Sequence, residues 1–285
     1  MSDEQAILND PCLSVLRAGD RDRYLCALLA PENKRGAISA LYAFNLELAR
    51  VRENISEPMM GEVRLQWWHD LISGEAHGNA AANPIAASLM SAIESHELPK
   101  VPFLNMIKAR QFDLYDDPMP DRTAFEGYAG ETASALLQLC VNVLNPDAAR
   151  HSADAAGHAG VAQLVAGTLL MLPIHRSRGQ LYVPGDLLRA TGLDRDAFLA
   201  GKNTDTIAQA VSAFVSLGRE HLAEARRRYA GLPAECITAF LPVATAEQVF
   251  DGADRAGARL LTAPLKIPQW RRQWRFWRAS MRTRF

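Results

Sequence analysis

The chain has 285 residues and a formal net charge of −1, with 48% hydrophobic and 22% charged residues. This length can bury a large core in one domain, and the near-zero charge gives no bulk attraction to nucleic acid. The four cysteines are far apart and form no Cys-x-x-Cys pair, which argues against a zinc site or a disulfide framework and favours a reducing compartment.

Apolar residues at helical spacing, separated by prolines, predict an all-α protein. Alternating strand patterns are almost absent, and residues 180–183 are the only short extended piece. Helices are predicted at residues 11–30, 34–55, 59–74, 84–97, 101–116, 122–145, 147–172, 204–230, 233–243, 245–262 and 268–283, with short turns at 185–191 and 194–200.

Two stretches bear on membrane insertion and export. Residues 1–5 are polar and acidic and carry no apolar signal core. Residues 161–174 are apolar, but this stretch is too short for a membrane span and fits a buried helix. We therefore expect no signal sequence and no membrane-spanning helix.

Residues 40–68 read ALYAFNLELARVRENISEPMMGEVRLQWW. The opening Leu-Tyr-Ala-Phe and the closing Arg-Leu-x-Trp-Trp resemble the squalene/phytoene synthase family, whose active members carry Asp-Asp-x-x-Asp on this helix. Those places hold Ala49, Arg50 and Glu53 here. Mg²⁺ prefers hard anionic oxygens, and carboxylates four residues apart share one helix face. Ala49 offers no oxygen, while Arg50 and Arg52 disfavour a divalent cation and favour a bare anion.

A second region resembles the family's other acidic motif. Residues 160–171, GVAQLVAGTLLM, precede RGQLYVP at residues 178–184. Active members have an acidic series before this last motif, and its places hold Gly167, Met171 and His175. Residues 155–185 contain no Asp or Glu at all. The resemblance therefore implies that both Mg²⁺ sites are lost, and we expect no metal and no cofactor.

The resemblance extends from about residue 24 to residue 229, and its degenerate positions match one branch of the family. The run Ala-Phe-Asn-Leu-Glu-Leu-Ala-Arg-Val and the later His-x-Ser-Arg are similar to the mitochondrial complex I assembly factors. This resemblance implies an all-α, isoprenoid-synthase-like bundle around a central cavity, with residues 1–285 forming one domain.

The basic residues near the two motif regions are candidates for a pocket that binds an anion or a lipid. By resemblance this pocket would contain Arg35, Tyr42, Arg50, Arg176 and Arg178, because arginine suits bidentate anion binding. Alternatives remain open at each position. Tyr42 could serve only packing, Arg35 could form a surface ion pair, and the stretch from residue 175 to residue 178 could be a solvated loop.

The densest acidic cluster comprises Asp113, Asp116, Asp117 and Asp121. Asp113 and Asp117 are four residues apart, so a metal site is one interpretation. The nearby prolines favour the other interpretation, a solvated helix end where acidic residues are common.

Residues 265–285 form a basic, tryptophan-rich segment, and no acidic residue follows Asp254. Trp270, Trp274 and Trp277 recur on one face of a predicted helix. Aromatic residues beside arginines indicate a helix that contacts a membrane or a partner, although a last helix packing its aromatics on the core has the same pattern. The candidate contact residues are Trp270, Arg271, Trp274, Arg275, Trp277 and Arg278.

By resemblance, the expected function is a non-catalytic role in the assembly of respiratory complex I. The expected partners are complex I subunits or assembly intermediates, an anionic membrane surface and an isoprenoid or phospholipid ligand, with no nucleic acid. The expected location is cytoplasmic, peripheral to the inner membrane, or on the matrix side in a mitochondrion. The alternatives are an active head-to-head prenyltransferase that uses Mg²⁺ and a metal-free protein that binds isoprenoids or lipids.

Overall fold

The computed structural model describes residues 10–55, 57–75 and 82–285, and these residues contain helices and turns but no β-strand. The prediction for residues 1–5 lies outside this part of the chain. The helices are α1 (Pro11–Gly19), α2 (Arg21–Leu28), α3 (Glu32–Ala49), α4 (Pro58–Ser73), α5 (Pro84–Ser95), α6 (Lys100–Arg110), α7 (Arg122–Ala129), α8 (Ala135–Leu144), α9 (Pro146–Ala149), α10 (Ala153–Ser177), α11 (Gly185–Ala190), α12 (Arg195–Ala200), α13 (Thr204–Tyr229), α14 (Ile237–Phe240), α15 (Ala246–Ala256) and α16 (Gln269–Arg282).

Several predicted helices are divided by local capping. The predicted helix at residues 11–30 is two helices, because the Asp20 side chain accepts a hydrogen bond from the Arg23 backbone N–H at 3.0 Å. This is the geometry of a helix N-cap, and the non-helical backbone of Asp20 (φ −146°, ψ 85°) separates α2 from α1. The predicted helix at residues 101–116 ends at Arg110 and continues as the 3₁₀ turn Gln111–Leu114.

The long helices α10 and α13 pack antiparallel along each other at the centre of the bundle. Asp154, near the start of α10, pairs with Arg228, near the end of α13. Further along, a Cβ on Gly218 of α13 would crowd Val165 of α10, which indicates close backbone approach. The buried apolar side chains of the described residues surround this pair as one core cluster.

Helix α10 is 25 residues long and is the one described helix that is long and apolar enough to cross a membrane by length and composition. The predicted apolar stretch at residues 161–174 lies inside this helix, which begins at Ala153 and ends at Ser177 where the sequence predicted a helix at residues 147–172. Most of its apolar stretch is buried against other helices, and its buried residues include Val161, Val165, Leu169 and Leu172. A central position in the bundle accounts for this apolar composition, as predicted.

Candidate functional site

A central cleft of about 330 Å³ lies between α2, α3, α10 and the segment that joins α14 to α15. The C-terminal helix α16 contributes Arg272 to its lining. The polar part of the lining includes Asp20, Asp22, Arg23, Asn45, Arg110 and Arg272. The apolar part includes Leu164, Leu170 and Met171. This mixture of an apolar floor and a few convergent polar groups is typical of a ligand site.

The charges that line the central cleft are largely compensated. Arg23 pairs with Asp20 at 2.6 Å, and Arg272 pairs with Asp22. Arg110 pairs with Asp113 at 2.9 Å, just behind the wall. Each arginine in the wall of the cleft therefore has its own carboxylate, and the cleft is not a strongly positive cavity.

Asp113 is the centre of a buried polar network, and its side chain is nearly inaccessible to solvent. It accepts hydrogen bonds from the hydroxyls of Tyr128 at 2.8 Å and Tyr182 at 2.9 Å, in addition to the Arg110 contact. Burial raises the pKa of both tyrosines, so they stay protonated and donate. This network links the turn after α6 with α7 and with the segment after α10.

The assignment of Asp113 to a solvated helix end was therefore wrong. The 3₁₀ turn Gln111–Leu114 directs this side chain inward. Asp116 lies outside and pairs with Arg52 at 3.7 Å, while Asp121 caps α7 through the Ala124 backbone N–H. Asp113, Asp116 and Asp121 therefore have separate partners, and within the described residues the four acids form no group that could hold a metal ion.

The two degenerate motif regions meet at one ion cluster. Glu53 lies 3.6 Å from Arg50 and 3.4 Å from Arg178, measured between charged atoms. Ala49 presents only a methyl group beside them. The one carboxylate that remains in the first motif is therefore held by two arginines, which compete with any cation for its oxygens.

In the second motif, Gly167 and Met171 line the central cleft and provide no metal ligand. His175 packs against the Tyr182 ring with a centroid distance of 4.8 Å, and its Nδ1 atom is buried without a hydrogen-bond partner. Burial lowers the pKa of His175 to about 4, so the ring is neutral near pH 7. A neutral ring at this place cannot replace the charge of an aspartate.

The residues present do not fit a Mg²⁺ site. Mg²⁺ requires near-octahedral oxygen ligands. Within the described ranges, no three His, Cys, Asp or Glu side chains are grouped so that they could hold a metal ion. The carboxylates nearest the central cleft, Asp20 and Asp22, are each bound to an arginine.

The squalene/phytoene synthase family model matches residues 16–278, which is most of the chain. The chain belongs to this family. A curated relative, NADH dehydrogenase (ubiquinone) complex I assembly factor 6 of Rattus norvegicus, is 32% identical over 274 residues, covering 92% of this chain and 82% of the relative. The Homo sapiens protein of the same name is 31% identical over 236 residues, covering 83% and 71% of the two chains.

A solved dehydrosqualene synthase, crystallised with a ligand, superposes on 99% of this chain with a TM-score of 0.79. The match covers 99% of that protein at 15% identity, so it shows the shared fold. The all-α, isoprenoid-synthase-like architecture predicted from the sequence is therefore confirmed.

In this squalene/phytoene synthase family member, the five residues predicted to form an anion or lipid pocket do not lie together. Arg35 donates to the Ala30 carbonyl at 3.4 Å, and Tyr42 is fully buried beneath Arg23. Arg176 donates to main-chain carbonyls, including that of Leu199 at 2.7 Å. Only Arg50 and Arg178 meet, and they do so at Glu53, outside the lining of the central cleft.

The C-terminal helix α16 exposes its tryptophans. The exposed fractions are 64% for Trp270, 53% for Trp274 and 48% for Trp277. Phe276 and Ala279 are the residues of α16 that the fold buries. The alternative in which the tryptophans pack on the core is therefore excluded. Arg271, Arg275 and Arg278 also lie on α16, and Arg271 stacks over the Trp270 ring at 5.3 Å.

The polar wall of the central cleft was not predicted from the sequence; it consists of Asp20, Asp22, Arg23, Asn45, Arg110 and Arg272. One signal was available for Asp20, because a Gly-Asp pair inside a predicted helix is typical of a helix end followed by a new N-cap. No local pattern identifies Arg110 or Arg272 as cleft residues. They reach the central cleft through packing between distant parts of the chain.

Proposed function

We propose that this family member functions in the assembly of respiratory complex I and does not catalyse prenyl transfer. The observation that carries this proposal is the loss of both acidic motifs. At the matching places, Ala49, Gly167 and Met171 have no ligating oxygen, and His175 is neutral. Relatives that share most of the chain are named complex I assembly factors, which supports the same conclusion.

The ion cluster at Glu53 explains why residual synthase chemistry is not expected. A diphosphate leaving group needs concentrated positive charge to stabilise it as the bond breaks. Arg50 and Arg178 are already neutralised in part by Glu53, and the arginines of the central cleft are neutralised by their own carboxylates. The chain therefore keeps the fold of the family but lacks the concentrated positive charge that would promote release of a diphosphate.

The expected partners are complex I subunits or assembly intermediates, and the expected location is the cytoplasmic or matrix face of the energy-transducing membrane. Peripheral association is supported by the exposed tryptophans of α16. Trp side chains prefer the interface between water and lipid, because the ring is apolar and the indole N–H is polar.

Metal-free ligand binding in the central cleft is a second candidate function, favoured by unpaired polar atoms. The Nε–H groups of Arg23, Arg110 and Arg272 are buried without an acceptor, and so is one carboxylate oxygen of Asp22. A phosphorylated isoprenoid or phospholipid head group could accept from the Nε–H groups, while a hydroxyl or ammonium group could donate to Asp22. Native mass spectrometry of the purified protein tests this, with Arg110→Met as the variant expected to lose the ligand.

The experiment that tests the assembly role is deletion of the gene in its own organism. We expect NADH oxidation by isolated membranes to fall while squalene and carotenoid levels stay unchanged. The opposite pattern, with normal NADH oxidation and loss of squalene or carotenoid, would favour the alternative of an active head-to-head prenyltransferase.

A further inference from the structure

A second cavity, outside the central cleft, lies between α16 and the end of α13. It is a groove of about 830 Å³ and it contains no carboxylate side chain in its lining. We call it the basic groove, and its charged residues are Arg226, Arg275, Arg278, Arg282 and Arg284. Trp274, Phe285 and three small residues complete the lining.

Most of this positive charge has no counter-ion. Arg226 is 3.6 Å from Glu247 and donates to the main-chain oxygen of Phe285 at 2.8 Å. For Arg275, Arg278 and Arg282, no carboxylate lies within ion-pair distance in the part of the chain that the structure describes, and the same holds for Arg284. The central cleft differs in this respect, since each of its arginines has a carboxylate.

The end of the chain is folded so that these arginines stay together. Thr283 has a positive φ of 50°, a conformation that is uncommon for a residue other than glycine. The turn lets the Arg284 N–H bond to the Ala279 carbonyl at 3.2 Å. Phe285 then stacks on Phe240 with a centroid distance of 5.2 Å. Arg284 therefore joins the groove through an anchored turn.

The tryptophans lie next to this groove on the same helix. Successive helical residues are rotated by about 100°, so Trp270, Trp274 and Trp277 form one stripe. Arg278 and Arg282 fall roughly a quarter-turn away, between that stripe and the buried face. Met281 continues the stripe and is 69% exposed. This arrangement matches the layers of a lipid surface. The aromatic stripe would face the boundary between acyl chains and glycerol, and the unpaired arginines would face the phosphates.

We propose that the basic groove binds the phosphate groups of anionic phospholipids while the tryptophan stripe lies among the head groups of the bilayer. Guanidinium groups form paired hydrogen bonds with phosphate oxygens, which an unpaired arginine can offer without first losing a partner. This lipid site rests on the membrane association proposed above, and it requires no contact with complex I.

Co-sedimentation of the full chain with vesicles tests the site. We expect binding to phosphatidylcholine vesicles that contain phosphatidylglycerol and no binding to pure phosphatidylcholine, with weakening by salt. Replacing Arg278 and Arg282 by Ala should weaken binding about 25-fold, at roughly fivefold for each arginine near an anionic surface. The matched control replaces the exposed Arg64 and Arg150 by Ala, which removes the same amount of charge from residues outside the basic groove. This control should change binding by less than about twofold.

A second pair of variants tests the tryptophan stripe. Replacing Trp274 and Trp277 by Ala should abolish binding, whereas Trp67→Ala, which alters an exposed tryptophan of α4, should leave it unchanged. Thermal unfolding by circular dichroism verifies that every variant is folded. Soluble glycerol phosphate at millimolar concentration should not release the protein from vesicles, because a free phosphate lacks the surface that the tryptophans require.

Three results would overturn the proposal. The first is an equal loss of vesicle binding in the Arg278/Arg282 variant and in the Arg64/Arg150 control. The second is equal binding of the natural chain to neutral and anionic vesicles. The third is tighter binding to an acidic peptide or an oligonucleotide than to anionic vesicles. A failure of the complex I experiment would leave the vesicle result intact. Conversely, a failure of vesicle binding with normal complex I assembly would remove only the lipid site.

Discussion

Arg272 on the C-terminal helix α16 forms an ion pair with Asp22 on α2, in the wall of the central cleft. Both side chains are mostly buried, with exposed fractions of 24% and 17%. Phe276, one helical turn further on, is fully buried. The pair and the phenylalanine together hold the basic segment against the first helices of the bundle, with the tryptophans facing outward.

We expect Asp22→Asn and Arg272→Ala each to loosen α16. Each substitution leaves a mostly buried charged group without its partner. The expected cost is about 1–3 kcal/mol of the free energy that holds α16 in place. Because α16 is the last helix, the effect should be local. Hydrogen exchange measured by mass spectrometry should show faster exchange in residues 269–282 and little change in α10. Arg271→Ala is the matched control, since Arg271 stacks over the Trp270 ring and forms no ion pair within the described residues. An equal effect of Arg271→Ala would argue against the ion pair.

Gly160 is a site where close packing leaves no room for a side chain. A Cβ there would overlap the Ser134 hydroxyl and backbone N, and it would lie 2.7 Å from the Ser134 Cα. We expect Gly160→Ala to destabilise the protein by about 1–3 kcal/mol, because the backbone of the segment Gly130–Ser134 would have to move. Urea unfolding followed by circular dichroism measures this change in the free energy of unfolding.

Gly157 is the control for Gly160, since it lies on the same helix, α10, and a Cβ there would meet nothing within 4 Å. Gly157→Ala should be neutral or stabilising by up to about 1 kcal/mol, because alanine favours the helix. Equal effects of the two substitutions would show that helix propensity, and not packing against Ser134, decides the result.

The buried, neutral state of His175 predicts that acid destabilises the fold. Its pKa is lowered from 6.5 to about 4 in the folded protein, so the unfolded chain takes up the proton first as the pH falls. His175 therefore does not reduce the free energy of unfolding above pH 6.5. Between pH 6.5 and pH 4 it lowers that free energy progressively, by up to about 3 kcal/mol. His96, His158 and His221 have lowered pKa values and act in the same direction.

The measurement is the urea midpoint from pH 7.5 to pH 4.5 for the native chain and for His175→Gln. The variant should lose less stability across this range, because glutamine cannot take up the proton. Parallel curves for the two proteins would contradict a neutral, buried His175, and a histidine NMR titration with a pKa near 6.5 would do the same.

The sequence was sufficient for the fold class and for the boundaries of several helices. Hydrophobic periodicity and proline positions located both ends of α4, α5, α13 and α16 to within about two residues, because these signals are local. Asp113 shows where such reasoning fails. Its neighbours Pro118 and Pro120 indicate a solvated turn, yet its partners Tyr128 and Tyr182 are 15 and 69 residues away.

The candidate site was predicted only in part, for the same physical reason. The loss of the acidic motifs could be read directly from the residues at Ala49, Gly167 and Met171. The grouping of Arg35, Tyr42 and the other basic residues into one pocket could not, because side-chain direction depends on packing. Arg176, three residues after Pro173, turns toward the carbonyl of Leu199 instead of the cleft.

Catalysis offers a separate prediction. With Mg²⁺ and farnesyl or geranylgeranyl diphosphate, the purified protein should form no squalene or phytoene above background, because the described part of the chain has no acidic cluster that could hold the metal. Gas chromatography with mass detection is sensitive enough to decide. Product formation that Glu53→Gln abolishes would contradict the loss of synthase chemistry.

Rescue of a deletion strain tests most directly whether the fold serves complex I assembly without prenyl transfer. The measurement is the amount of fully assembled complex I on native gels, after re-expression of the natural chain or of Glu53→Gln. We predict that assembled complex I is depleted in the deletion strain and that both proteins restore it. Normal complex I in the deletion strain, or rescue by the natural chain but not by a folded Glu53→Gln protein, would contradict the account.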